Sequence, residues 1–191
     1  MPAFSRHYLI LLGFLTLFGV QVSWGAFDFE PIEGVRVLNL SETQFYVADA
    51  EQPPFSDPRA PAFAFDAIIQ NEVLFLNINT VDDAGRRAPH LRAAKLFERM
   101  MKHFQDSHQK IHAIRGYWVH GTNLKMFLEQ LKAGKSEHEA ALSTWTGRQA
   151  ARFGYSDVTI HTMDDPFGSY PDIIVYFTTR ERGELCRRAL L

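Results

Sequence analysis

Residues 63–104 read FAFDAIIQNEVLFLNINTVDDAGRRAPHLRAAKLFERMMKHF. Phe63 to Ile69 and Val73 to Ile78 are β-prone runs separated by Gln70, Asn71 and Glu72, which predicts a hairpin. In the second run Val73, Phe75 and Asn77 alternate with Leu74, Leu76 and Ile78, so at least one face of that strand is buried. A helix is expected to open near Pro89, whose fixed φ and missing N–H suit the first helical position. Leu91, Ala94, Phe97, Met101 and Phe104 then recur at three- and four-residue spacing and define one apolar face. A hairpin feeding directly into an amphipathic helix places both element types in one domain.

Upstream, Val35 to Leu40 and Thr43 to Val47 are short strand candidates. Gln52 to Pro61 holds four of the nine prolines and reads as a stiff connection. Downstream, Ile111 to Val119 returns to strand. A second helix, capped by Thr122 or Asn123, carries Leu124, Phe127, Leu128 and Leu131 on one face and stops at Gly134. Ser136 with Glu139 forms a capping box that opens a third helix running towards Phe153 and ending at Gly154. Ser156 to Met163 and Asp172 to Thr178 close the pattern as strands paired across an Asp164 to Pro171 turn. The expected fold is a single α+β domain over residues 26–180, with a mixed, mostly antiparallel sheet and about three helices. Residues 181–191 read as a flexible basic tail.

The amino terminus has the three parts of an export signal: Arg6, an apolar run from Tyr8 to Val20, and small residues near Gly25. Cleavage after Gly25 leaves roughly 165 residues, enough for a core that needs no staple. Without cleavage, residues 8–27 are just long enough to anchor the chain in a membrane. The chain is therefore expected to be secreted or periplasmic, and bacterial, since its single cysteine, Cys186, allows no internal disulfide. Its formal net charge of −2 gives no footprint for nucleic acid.

From Val73 to Phe177 the order is a strand, a basic loop opening a long helix, another strand, a helix ending in Phe153-Gly154-Tyr155, and a final hairpin. This order resembles the second half of the GCN5-related N-acetyltransferase fold. Residues 141–155, ALSTWTGRQAARFGY, are similar to stretches of bacterial secreted and polymorphic-toxin domains of unassigned activity. The acetyltransferase resemblance implies that the loop from Asp82 to Arg92 holds the pyrophosphate of acetyl-coenzyme A. Arg86, Arg87, His90 and Arg92 are then the cofactor-binding candidates, aided by open helix N–H groups. The sequence departs from that family at three points. Counting from Arg87, His90 and Arg92 stand where two small residues let the cofactor approach, and Ala150 stands where a tyrosine often serves as general acid.

Gly116-Tyr117-Trp118-Val119-His120-Gly121-Thr122-Asn123 is a strand-to-helix junction, where α/β sites gather. Tyr117 and Trp118 must face opposite sides of the strand, one in the core and one open to a cleft. His120, Tyr117 and Arg148 are the catalytic candidates, with Trp145, Thr146 and Gly147 close by in sequence to Arg148. His103, His108 and His112 have no metal-ligand spacing and read as surface residues, so no metal is expected. Asp164-Asp165-Pro166 reads as turn chemistry, and Cys186 lies in the tail, where no base is held in register.

Two functions fit these features. The first is an exported effector or envelope protein that binds a protein partner, with no cofactor and no chemistry of its own. The second is a divergent acyltransferase-like effector or toxin that uses acetyl-coenzyme A inside a recipient cell.

Overall fold

Two residues, Asn71 and Glu72, make the turn between the first pair of strands read from the sequence, both at positive φ (50° and 63°). Two successive residues of this kind match the right-handed twist of the strands they join. The hairpin is β3 (Ala64–Gln70) with β4 (Val73–Asn79). The computed structural model describes residues 31–52, 57, 61–81, 85–119, 121–163 and 172–179. Residues 1–25, read as a signal segment, residues 164–171, read as a turn, His120 and the residues 181–191 with Cys186 lie outside these residues.

The chain runs β1 (Val35–Leu40), β2 (Gln44–Asp49), β3, β4, α1 (Ala93–Asp106), β5 (Ala113–Trp118), α2 (Thr122–Lys132), α3 (Glu137–Ser143), α4 (Trp145–Arg152), β6 (Tyr155–Met163) and β7 (Asp172–Thr179). The strands form one seven-stranded sheet in the order β1-β2-β3-β4-β5-β7-β6. Every neighbouring pair is antiparallel except β4 with β5. That parallel pair is short. Val73, Leu74 and Phe75 are in register with Ala113, Ile114 and Arg115, and the carboxyl halves of the two strands pair no further with each other.

The period of two in the strands decides which face is buried. Phe45, Val47, Phe65, Ala67, Leu74, Ile114, Trp118, Val175 and Phe177 fall on one face and join a single core with Leu96, Phe97, Met100, Met101 and Phe104 of α1. The alternate residues Tyr46, Ile68, Phe75, Tyr117, Ile174 and Tyr176 lie on the other face and are half-buried or exposed. The four described helices thus cover one side of the sheet.

Two helix expectations need correction. Helix α1 begins at Ala93, not near Pro89, because Arg92 has ψ 86° and breaks the turn before it. Leu91 is buried ahead of the helix, and Ala94 is exposed rather than on the apolar face, which is carried by Leu96, Phe97, Met100, Met101 and Phe104. The third helix is two, so the described residues hold four helices. Thr144 sits between them in extended conformation (φ −67°, ψ 166°), ending α3 and capping α4 by accepting the N–H of Gly147 at 3.0 Å. The Ser136 and Glu139 capping box forms as read, and the Ser136 hydrogen bonds hold the Glu139 carboxyl below the usual carboxylate range.

Gly147 explains how α4 folds back so tightly on α3. A Cβ at this position would stand 2.2 Å from the Ala141 carbonyl oxygen, so only glycine allows this approach. Asn123, expected as a cap for α2, instead serves α4: its Oδ1 accepts the Trp145 N–H at 3.0 Å and its Nδ2 donates to Thr146 Oγ1 at 2.8 Å. The N-cap of α2 is Gly121, at φ 88°.

Candidate functional site

The basic loop between β4 and α1 is fastened at several points. Arg87 bridges back to Val81, and the Ala88 N–H donates to the Thr80 carbonyl at 2.9 Å. The next two free amides, those of His90 and Leu91, point at the carboxylate of Asp49 at the end of β2. Asp49 Oδ2 accepts them at 2.8 Å and 3.3 Å, and its Oδ1 accepts the Glu51 N–H at 3.0 Å. Asp49 is fully buried. It supplies an internal anion where the sequence suggests an external one, since convergent backbone N–H groups bind whichever acceptor reaches them.

His90 is held as firmly. Its ring lies against Gly34, where a Cβ would come 2.1 Å from His90 Cγ, and its Nε2 is 3.2 Å from Glu51 Oε1. His90 and Arg92 border a cleft of 340 Å³ with Ile32, Glu33, Lys95 and Arg99. Arg86 and Arg87 are exposed and are not among its lining residues, so the structure does not bring the four cofactor candidates around one cavity.

The three catalytic candidates are not brought together either. Tyr117 is 50% exposed on the face that no described helix covers, where its hydroxyl donates to Asp172 Oδ2 at 2.6 Å. That hydrogen bond to a carboxylate, more than any other cause, raises the Tyr117 phenol above its ordinary value. Arg148, in α4 on the opposite side of the sheet, donates to the Ser143 carbonyl and to Met126 Sδ, and so ties the end of α3 to α2. His120 is outside the described residues. Trp118 takes the core position, as the alternation requires, packed on Phe127 and Phe177. Its indole Nε1 is buried and has no hydrogen-bond partner among the described residues.

His103 corrects the reading of the histidines as surface groups. It is buried between Phe45 and Phe104, with Nε2 2.7 Å from the Ser41 carbonyl. His108 is exposed, and His112 pairs with Glu72. Among the described residues no three His, Cys, Asp or Glu side chains gather as metal ligands would. No described helix is long and apolar enough to cross a membrane.

Two features escaped the sequence. Asp49 gave no local signal for its role in the loop, because the His90 amide it accepts lies 41 residues further along the chain. The group of Phe75, Arg115, Tyr117 and Tyr176 on the face that no described helix covers was visible only strand by strand, and pairing brings it together. The Arg115 guanidinium lies 5.2 Å from the Phe75 ring centroid and 5.5 Å from that of Tyr117. Comparison with family models, curated proteins and solved structures gives no match to this chain.

Proposed function

We propose that this protein is an exported bacterial effector or envelope protein that acts by binding a partner and performs no chemistry of its own. The observation that carries this reading is the buried Asp49 carboxylate, which takes up the His90 and Leu91 amides that a pyrophosphate would need. Export supports it, because acetyl-coenzyme A is a cytoplasmic metabolite and an exported protein meets it only inside a recipient cell.

A second reading, a divergent acyltransferase-like effector or toxin, is favoured by the β4 and β5 pair. Ligands of open sheets gather beyond the carboxyl ends of parallel strands, and here these ends are unpaired with each other after Phe75 and Arg115. Titration calorimetry of the protein with acetyl-coenzyme A decides between the two. The expected result is no heat of binding at millimolar ligand. Micromolar binding that is lost in an Arg86→Ala, Arg87→Ala double variant would overturn the first reading and establish the second.

A further inference from the structure

The face of the sheet that no described helix covers is ordered in rows. Gln44, Ile68, Phe75, Arg115, Tyr176 and Thr159 stand side by side across six strands. At about 4.8 Å between strands this row is about 24 Å long. Two residues further along the strands, Tyr46 and Asp66 lie at one end, and Tyr117, Ile174 and His161 at the other. Aromatic surface and hydrogen-bonding groups therefore alternate over a broad platform whose residues are half-buried or exposed.

The polar groups on this platform are already held in place. Gln44 Nε2 donates to Asp66 Oδ1 at 3.1 Å, and the Tyr117 hydroxyl donates to Asp172. Arg115 is held between two rings, and the His161 ring meets that of Tyr176 edge-on at 5.9 Å. Little ordering entropy is left to lose when a ligand arrives, which favours binding on an otherwise shallow surface.

Resting on the reading of the chain as a binder, we infer that this face docks a neutral polysaccharide, with sugar rings laid on Phe75, Tyr117 and Tyr176. Charge complementarity selects this partner. Asp66, Asp157 and Asp172 share this face with Arg36 and Arg115, so a phosphodiester backbone finds no basic stripe to replace its counterions. An apolar protein surface or a lipid layer would bury these charged groups without new partners, at a cost of several kcal/mol each. An uncharged polyol brings hydroxyls that donate to the carboxylates and accept from the guanidinium, and its C–H faces cover the ring surface that Tyr117 exposes and that the half-buried Phe75 and Tyr176 leave open.

Affinity electrophoresis of the full chain through gels containing amylose, a mixed-linkage β-glucan or soluble chitin derivatives tests this inference, with a single-stranded oligonucleotide and anionic vesicles run in parallel. The expected result is retardation by at least one neutral polysaccharide, weakened at least tenfold in Tyr117→Ala and in Arg115→Gln. Tyr117 is half exposed, so its truncation leaves the fold intact, and unchanged thermal melting of both variants verifies this. Absence of retardation in all three gels, retardation that persists in both variants, or binding only to the oligonucleotide or the vesicles overturns the inference. Calorimetry with acetyl-coenzyme A on the same sample separates the two failures. Cofactor binding overturns the binder reading, whereas silence from both cofactor and polysaccharides overturns the polysaccharide alone.

Discussion

Asp49 Oδ2 accepts the backbone N–H of His90 at 2.8 Å, joining the end of β2 to the loop that precedes α1. Together with the Leu91 and Glu51 amides, this bond makes one buried carboxylate the acceptor for three backbone donors. The loop therefore owes its path to a residue from a distant part of the chain.

Replacing Asp49 by alanine leaves all three donors without their acceptor. Each buried unsatisfied amide costs about 1–3 kcal/mol, and partial relaxation to water reduces the sum, so a loss of about 3 kcal/mol is expected. Asp49→Asn keeps one acceptor oxygen, enough for the His90 and Leu91 amides, but turns an NH2 donor toward the Glu51 N–H, so it should lose less than Asp49→Ala and more than nothing. Urea unfolding midpoints measure both, and faster amide hydrogen exchange at His90 and Leu91 would place the damage in this loop.

Gly147→Ala sets two effects against each other. Helix propensity favours alanine by about 1 kcal/mol. The new methyl group would meet the Ala141 carbonyl oxygen at 2.2 Å and Leu142 Cα at 2.7 Å, both backbone atoms that cannot swing aside. Overpacking of this kind costs about 1–3 kcal/mol, and with rigid backbone at 2.2 Å the upper part of that range applies, so it should win and leave a net loss of about 1–2 kcal/mol in chemical denaturation.

Trp118→Phe removes an indole N–H that has no partner among the described residues, while keeping a ring against Phe127 and Phe177. Loss of the orphan donor offsets the lost contact area, so the melting temperature should stay within a few degrees of the parent or rise. Trp118→Ala removes the ring as well and should cost about 3–5 kcal/mol. If both variants lose equally, the indole N–H has a role in stability that these contacts do not provide.

Alkaline pH should reveal Tyr155. Burial raises its phenol above the ordinary value of 10.0, and its hydroxyl donates to the Ile111 carbonyl at 2.9 Å. A raised pKa stabilises the neutral form in the folded state. Its contribution is complete below about pH 10 and is lost as pH rises through the folded value. Stability measured from pH 8 to 11 should fall more steeply in the parent than in Tyr155→Phe, which has nothing to ionise at that position.

Local signals carried much of this fold. The Asn71 and Glu72 hairpin, the Ser136 and Glu139 capping box, and the stops at Gly134 and Gly154 all depend on residues within four positions of one another. The errors arose where distant residues intervene. Pro89 has the features of a helix start, but Asp49 claims the two amides that follow it. Thr144 divides the third helix because its hydroxyl caps α4, a role that nothing around it separates from an ordinary helical threonine. The opposite facings of Tyr117 and Trp118 follow from strand alternation. The platform to which Tyr117 belongs follows only from the order β4-β5-β7-β6.

The three-residue register between β4 and β5 also governs how the sheet comes apart. One wing, β1 to β4, is a meander of neighbours in sequence, and the other, β5 to β7, arrives only after α1 has crossed over. The seam between them is the weakest ladder in the sheet, so the two wings should behave as separate cooperative units that share a core. Such a seam is a hinge: a ligand lying across both wings would lock them together, and slower amide exchange along Leu74 and Ile114 would record it.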